Sequence, residues 1–122
     1  MPAINGRAMK ARGSQFEREA AAFLRDHGFP HAERSYGAGR PDDAGDLDGL
    51  PRWTVEVKAC RALDLAGWMD EARREQTNAS TEYTAVVAKR RGKAVEHAYV
   101  VLTLAAWARL VGETEGASEV AT

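Results

Sequence analysis

The chain has one cysteine, Cys60, in 122 residues, so it holds no internal disulfide framework and no cysteine-based zinc site. That scarcity fits an intracellular, cytoplasmic protein. Four prolines and three tryptophans leave no proline-rich or low-complexity tract, and no internal repeat is visible. No run of about 18 apolar residues exists, so a membrane-spanning helix is excluded. The first twelve residues lack the apolar stretch of a secretion signal. Charge of one sign is also missing: the net charge is −1, which by itself announces no nucleic-acid partner.

The distribution of charge says more. Arg7, Lys10 and Arg12 make residues 1–12 a basic arm, expected to be flexible. Lys89-Arg90-Arg91-Gly92-Lys93 is a second basic cluster. Residues 112–122 carry acids and no base, and read as a flexible acidic tail, which leaves the body between mildly basic. The basic runs have two readings, a solvated turn or a phosphate-binding surface.

Length bounds the rest to a single domain with one core, placed at residues 13–111. The spacing of Phe16, Ala20, Phe23, Leu24 and His27 predicts a helix over 14–27, stopped by Gly28 and Pro30. Residues 32–36 form a short strand. Residues 37–45, rich in Gly, Pro and Asp, form a loop. Residues 46–50 and 52–59 are expected to pair antiparallel through a turn at Gly49–Pro51. Trp68, Ala72 and Gln76 lie on one face of a helix over 65–79. Two further strands, 83–89 and 97–102, flank the basic cluster as a hairpin, and Thr103 caps a last helix over 104–111. The order α-β-β-β-α-β-β-α predicts an α/β fold with a mixed sheet flanked by helices.

The chemistry concentrates at Gly45-Asp46-Leu47-Asp48 and Trp53-Thr54-Val55-Glu56-Val57-Lys58. Along a strand, Thr54, Glu56 and Lys58 share one face, and Trp53, Val55 and Val57 the other. A carboxylate and an ammonium on an otherwise buried strand are costly without a role. Asp46 and Glu56, with the Val57 carbonyl between them, suit a hard divalent cation such as Mg2+. Lys58 then stands beside the water or phosphate being activated. A cross-strand salt bridge explains the same residues without function. Asp48 is a further candidate ligand or a turn residue. Ser14-x-x-Glu17 has the form of a capping box, which explains Glu17 structurally; the other account puts Glu17 at the rim of a metal site. Gln76 is either a surface or cap residue or a neighbour of that site. Tyr36 is suited to packing or to stacking on a base. The three histidines show no ligand spacing.

Arg12-Gly13-Ser14-Gln15-Phe16-Glu17-Arg18-Glu19, Gly28-Phe29 and Arg34-Ser35-Tyr36-Gly37 resemble the N-terminal pattern of archaeal-type Holliday junction resolvases. Asp46-Leu47 and Val55-Glu56-Val57-Lys58 resemble the Asp…Glu-x-Lys signature of the PD-(D/E)xK nuclease superfamily. The likeness spans residues 12–110, and extends to small phage-encoded proteins, for which the setting is the host cytoplasm. It implies a restriction-endonuclease-like core, a homodimer, and Mg2+- or Mn2+-dependent hydrolysis of DNA in recombination and repair. By position, it implies that Glu17, Asp46 and Glu56 are the acidic residues, Lys58 the catalytic lysine and Gln76 a glutamine beside the site. Arg18 and Arg34 match positions that contact the DNA backbone, and Arg12, Lys89, Arg90, Arg91 and Lys93 supply further basic contacts. The loop over 37–45 is longer than the family pattern, and Asp42 and Asp43 within it compete with Asp46 for the ligand role; the ten-residue spacing from Asp46 to Glu56 suits a hairpin. The alternatives are a nuclease of this fold acting on flap, nicked or linear DNA, and a catalytically silent DNA-binding protein.

Overall fold

A computed structural model describes residues 6–35 and 45–121, with side chains described from Gly13 to Gly116 outside the 36–44 gap. The first helix, α1, runs Gly6–Arg25. It begins eight residues before the expected start, so residues 6–12 are helical rather than part of an arm. Ala8, Met9, Lys10 and Ala11 are strong helix formers, and together they outweigh the weaker Gly13 and Ser14. Ser14 therefore lies inside the helix, where no free N–H group awaits a cap, and the capping box is not formed. The far end behaves as expected: Gly28 takes φ +101°, and the Phe29 N–H donates back to the Leu24 carbonyl at 3.0 Å.

Two short strands follow, β1 (Glu33–Arg34) and β2 (Leu47–Asp48), paired antiparallel as Glu33↔Asp48 and Arg34↔Leu47. This departs from the expected β2–β3 ladder. Gly49 explains it: at φ +85° it packs so close to residues 31–32 that any Cβ would collide with the His31 carbonyl. The chain is thereby pressed onto β1. The turn itself closes where expected, with the Trp53 N–H on the Leu50 carbonyl at 2.9 Å.

The main sheet has three strands in the order β3 (Trp53–Lys58), β4 (Tyr83–Ala88) and β5 (Tyr99–Val101). β3 and β4 are parallel, Trp53 opposite Tyr83 and Lys58 opposite Ala88; β4 and β5 are antiparallel. A parallel pair needs a crossover, supplied by α2 (Leu65–Ala79), whose limits are those expected. The Asp64 side chain accepts the Gly67 N–H at its start, and Ser80 closes its end in the left-handed region at φ 55°. A 3-10 turn at Val95–His97 precedes β5.

The sheet is thus mixed and lies between two helices. On one face Val55 and Val57 pack with Phe16, Ala20 and Ala21 of α1 and with Ala32, Leu47 and Leu50. On the other, Val86 and Ala88 pack with Trp68 and Ala72 of α2. The alternation expected for β3 holds, and it sends Glu56 and Lys58 toward α2. Trp53 stacks on Tyr83 at 4.8 Å between ring centres.

The last helix, α3, runs Leu104–Ala121, and Thr103 caps it by accepting the Ala106 N–H at 3.1 Å. It continues ten residues past the expected end, so the segment expected as a flexible tail is helical to Ala121. Glu113 within it meets Arg52 at 3.1 Å, and Arg52 also holds Glu82 at 2.8 Å. These pairs are exposed, so each contributes little to stability. No described helix is long and apolar enough to cross a membrane.

Candidate metal centre

Asp46 reaches the sheet because Gly45 precedes it. Gly45 has φ +108°, and a Cβ there would press on Thr54 Cγ2 at 3.0 Å and the Val55 carbonyl at 3.1 Å. Only glycine lets the backbone lie this close to β3. Two bonds then fix Asp46: its own N–H donates to the Val55 carbonyl at 2.8 Å, and its Oδ2 accepts the Val57 N–H at 2.7 Å. The N–H and C=O of one strand residue point to the same edge, so the Val57 carbonyl faces the side that Asp46 occupies. The expected neighbourhood of Asp46, Glu56 and Val57 is therefore formed, though through these two bonds rather than through a strand ladder.

Glu56 is 4% exposed and Asp46 6%. Their carboxyls lie within hydrogen-bonding reach of one another. On the other side of Glu56 stand two residues of α2 that sequence reasoning passed over, Glu71 and the buried Glu75. One oxygen from each of Glu56, Glu71 and Glu75 falls within 4.8 Å of the others. Lys58 Nζ donates to Glu71 Oε2 at 2.8 Å and lies 3.5 Å from Glu56 Oε1.

The electrostatics follow from this crowding. Asp46 is pushed up to about 8 by burial, then by the Glu56 carboxyl, while the Val57 N–H pulls the other way. Glu56 is likewise raised to about 8, by burial and then by Glu75. Burial pulls Lys58 down, but its bond to Glu71 and the charges of Glu56, Glu71 and Asp46 outweigh that, so it is raised and stays an ammonium. Among the described residues, Glu71, Glu56 and Asp46 thus all act on the Lys58 ammonium, and Glu75 stands beside Glu56 and Glu71. Glu56 Oε2 is buried with no hydrogen-bond partner among the described residues. Oxygen-only ligands with one ammonium at the rim are the donor set that Mg2+ or Mn2+ takes, so these residues fit such an ion.

No family model, no curated protein and no solved structure matches this chain.

The remaining candidates divide. Glu17 lies near enough for its charge to act on Asp46, but its Oε2 accepts from Arg34 Nε at 2.6 Å. That pair is what occupies Glu17, in place of a cap. It also commits Arg34, so the guanidinium expected to meet DNA is already engaged by a carboxylate. Gln76 is not brought to the carboxyls: its Nε2 donates to the Thr81 carbonyl at 3.1 Å and ties the end of α2 to the start of β4. Asp48 is exposed on β2, opposite Glu33. Arg18 is exposed on α1, and Lys89 lies over the Phe16 ring at 5.8 Å. Arg90, Arg91 and Lys93 are exposed on the β4–β5 connection. Lys89, Arg90 and Arg91 line a pocket of about 320 Å³ together with Arg61 and Tyr99, at the end of β3 and β4 where Lys58 emerges. The Arg12 side chain, Tyr36, Asp42 and Asp43 lie outside the described residues.

Glu75 had a signal. It sits seven residues after Trp68 and three after Ala72, on the buried face of α2. A carboxylate at a core position of an amphipathic helix calls for a partner, and Glu56 is opposite it.

Proposed function

We propose that this chain is a divalent-metal-dependent endonuclease with a restriction-endonuclease-like core, cutting DNA phosphodiesters as a Holliday junction resolvase does, in a homodimer. The observation that carries the reading is Glu56 Oε2, a buried oxygen without a hydrogen-bond partner among the described residues, set among carboxyls held out of their ordinary ionisation range. Such an arrangement destabilises the protein on its own, and a bound cation reverses the cost.

Asp46, Glu56 and the Val57 carbonyl would hold the Mg2+ or Mn2+. The ion supplies an acidified water and neutralises charge on the scissile phosphate. The chain's own residues do the rest. The Val57 N–H holds Asp46 in one orientation whether or not the site is charged. Lys58, kept protonated by Glu71 and Glu56, presents an ammonium at the rim of the cluster, where it orients the attacking oxygen or meets the developing charge on phosphate. Arg18 and the connection from Lys89 to Lys93 are exposed and would supply cations to the DNA backbone. A four-way junction asks for two symmetric nicks, and a two-fold dimer presents two such sites.

The test offers purified protein four-way junction, flap and linear duplex side by side with Mg2+. Cleavage of the junction, lost in Asp46→Asn and Glu56→Gln while binding persists, supports the proposal. Cleavage confined to flap or linear DNA keeps the chemistry and changes the substrate. A second reading rests on the Lys58–Glu71 pair at 2.8 Å, which a purely structural network would also contain. It describes a catalytically silent DNA-binding protein, and it predicts no cleavage of any of the three.

A further inference from the structure

The end of the chain leaves apolar surface that no described element covers. β5 is the outer strand of its sheet and pairs only with β4 among the described residues. α3 leaves the sheet directly after it and turns Ala105, Ala106 and Arg109 toward Tyr83 and Thr84 of β4 and Arg73 and Gln76 of α2. Its described ties are made by Arg109, to Glu82 and over the buried Tyr83 ring at 5.0 Å, and by Glu113 to Arg52, which leaves Leu104 and Trp107 uncovered. Tyr99, Val100, Leu104 and Trp107 are 52%, 64%, 78% and 53% exposed. A groove of about 410 Å³ runs between Val100, Val101, Leu102, Thr103, Leu104 and Trp107. From Ala98 to Ala108 the chain carries no charge at all.

Each of these is unusual for a free surface. Natural edge strands are normally guarded by a charge, a proline or a bulge, and residues 98–102 hold no charged residue and no proline. An 18-residue helix containing Gly112 and Gly116 is marginal in water unless its apolar face is buried.

We propose that the outer edge of β5 and the first turns of α3 form the contact between two copies of this chain. A second copy is the occupant the chemistry selects. A strip without charge meets its own image without repulsion, whereas a polyanion would find no cation on it. Two identical edges can pair antiparallel about a two-fold axis, which gives both strands a partner along their open side. Trp107 is the kind of bulky anchor on which such contacts turn. The four exposed side chains present roughly 500 Å² per copy, so about 1,000 Å² would be buried by them alone, the lower bound of a specific interface, before the strand backbones are counted. The inference rests on the homodimer of the proposed function and not on the metal site: a monomer would fail both, whereas a dimer indifferent to the variants below would fail this contact alone.

Sedimentation equilibrium of the full chain should return twice its 13.3 kDa mass. Val100→Lys and Leu104→Glu, both at highly exposed positions, should each weaken association by about 100-fold with the circular dichroism spectrum retained. Leu63→Glu, at a 71% exposed position outside the strip, should not. In the unaltered protein, hydrogen-exchange protection at Val100 and Val101 should rise with protein concentration. A wild-type monomer at about 100 µM overturns the proposal, since it leaves less than about 6 kcal/mol for association. Association indifferent to both variants, or protection independent of concentration, overturns it as well.

Discussion

Asp46→Asn should make the metal-free protein more stable at alkaline pH, although it removes a residue the proposed function needs. Below about pH 3 the Asp46 and Glu56 carboxyls are protonated in both the folded and unfolded chain, and their burial carries no ionisation cost. As pH rises, the unfolded chain gives up these protons near the ordinary carboxylate value. The folded chain keeps them to about 8. Across that window the folded state binds more protons, so stability falls as pH rises, and the loss is complete only above about pH 8. A displacement of about four units corresponds to about 5 kcal/mol for one group. The two groups are coupled, Glu56 raising Asp46 while Asp46 lowers Glu56, so their costs do not simply add. Asn keeps an oxygen for the Val57 N–H and offers Glu56 a donor. Relieving part of the pair should yield about 2 kcal/mol at pH 9, or a melting point higher by about 8 °C. At about pH 3, below the ordinary carboxylate values, the gain should nearly vanish. Thermal unfolding followed by circular dichroism in EDTA at both pH values measures this. Added Mg2+ should then raise the wild-type melting point at pH 9 and leave that of Asp46→Asn almost unmoved. A variant that melts at or below wild type at pH 9 would show that the cluster is a stabilising network, and the reasoning from crowded carboxyls would be wrong.

Three further outcomes follow from the geometry. Lys58→Ala should lower the cleavage rate by about 100-fold while Mg2+ still raises the melting point; a near-normal rate would leave Lys58 a partner of Glu71 and nothing more. Ser14→Ala, inside α1, should change stability by less than about 0.5 kcal/mol, whereas Glu17→Gln should lose about 1 kcal/mol with its bond to Arg34; denaturant titration decides, and a loss at Ser14 of about 1 kcal/mol would restore the cap. Gly49→Ala sets a Cβ against the His31 carbonyl at φ +85°, and should cost at least about 2 kcal/mol by the same measurement; normal stability would mean that β1 and β2 do not approach as described.

Where local pattern decides structure, the sequence was readable. The limits of α2, the turn after α1, the cap at Thr103 and the two faces of β3 all follow from short-range periodicity and side-chain chemistry. The failures arise where two local signals compete or where contacts are distant. Gly13-Ser14 looks like a boundary, yet the formers before it carry the helix through. Acidic residues after Val111 suggest a tail, but glutamate and alanine are also helix formers. The pairing of β2 with β1 is settled by Gly49 meeting residues far back in the chain. At the site, Asp46, Glu56 and Lys58 were legible because one strand and one turn bring them together. Glu71 and Glu75 were not, because their place beside Glu56 depends on how α2 crosses the sheet. Gln76 was misplaced by the same step: it shares the helix face with Ala72, but its amide is taken by Thr81.

β3 carries the core of one layer on its odd residues and the carboxyl cluster on its even ones, and this sets where the chain can change length. A single residue inserted or deleted between Trp53 and Lys58 would turn Glu56 toward Phe16 and Ala20, and Val55 or Val57 toward Glu75. Fold and site would be lost in the same event, with no intermediate that keeps either. The connection between Lys89 and Lys93 has no such double duty, because its residues are exposed and Gly92 has open space around it. Length variants selected for survival should therefore collect in that connection and be absent from the six residues of β3.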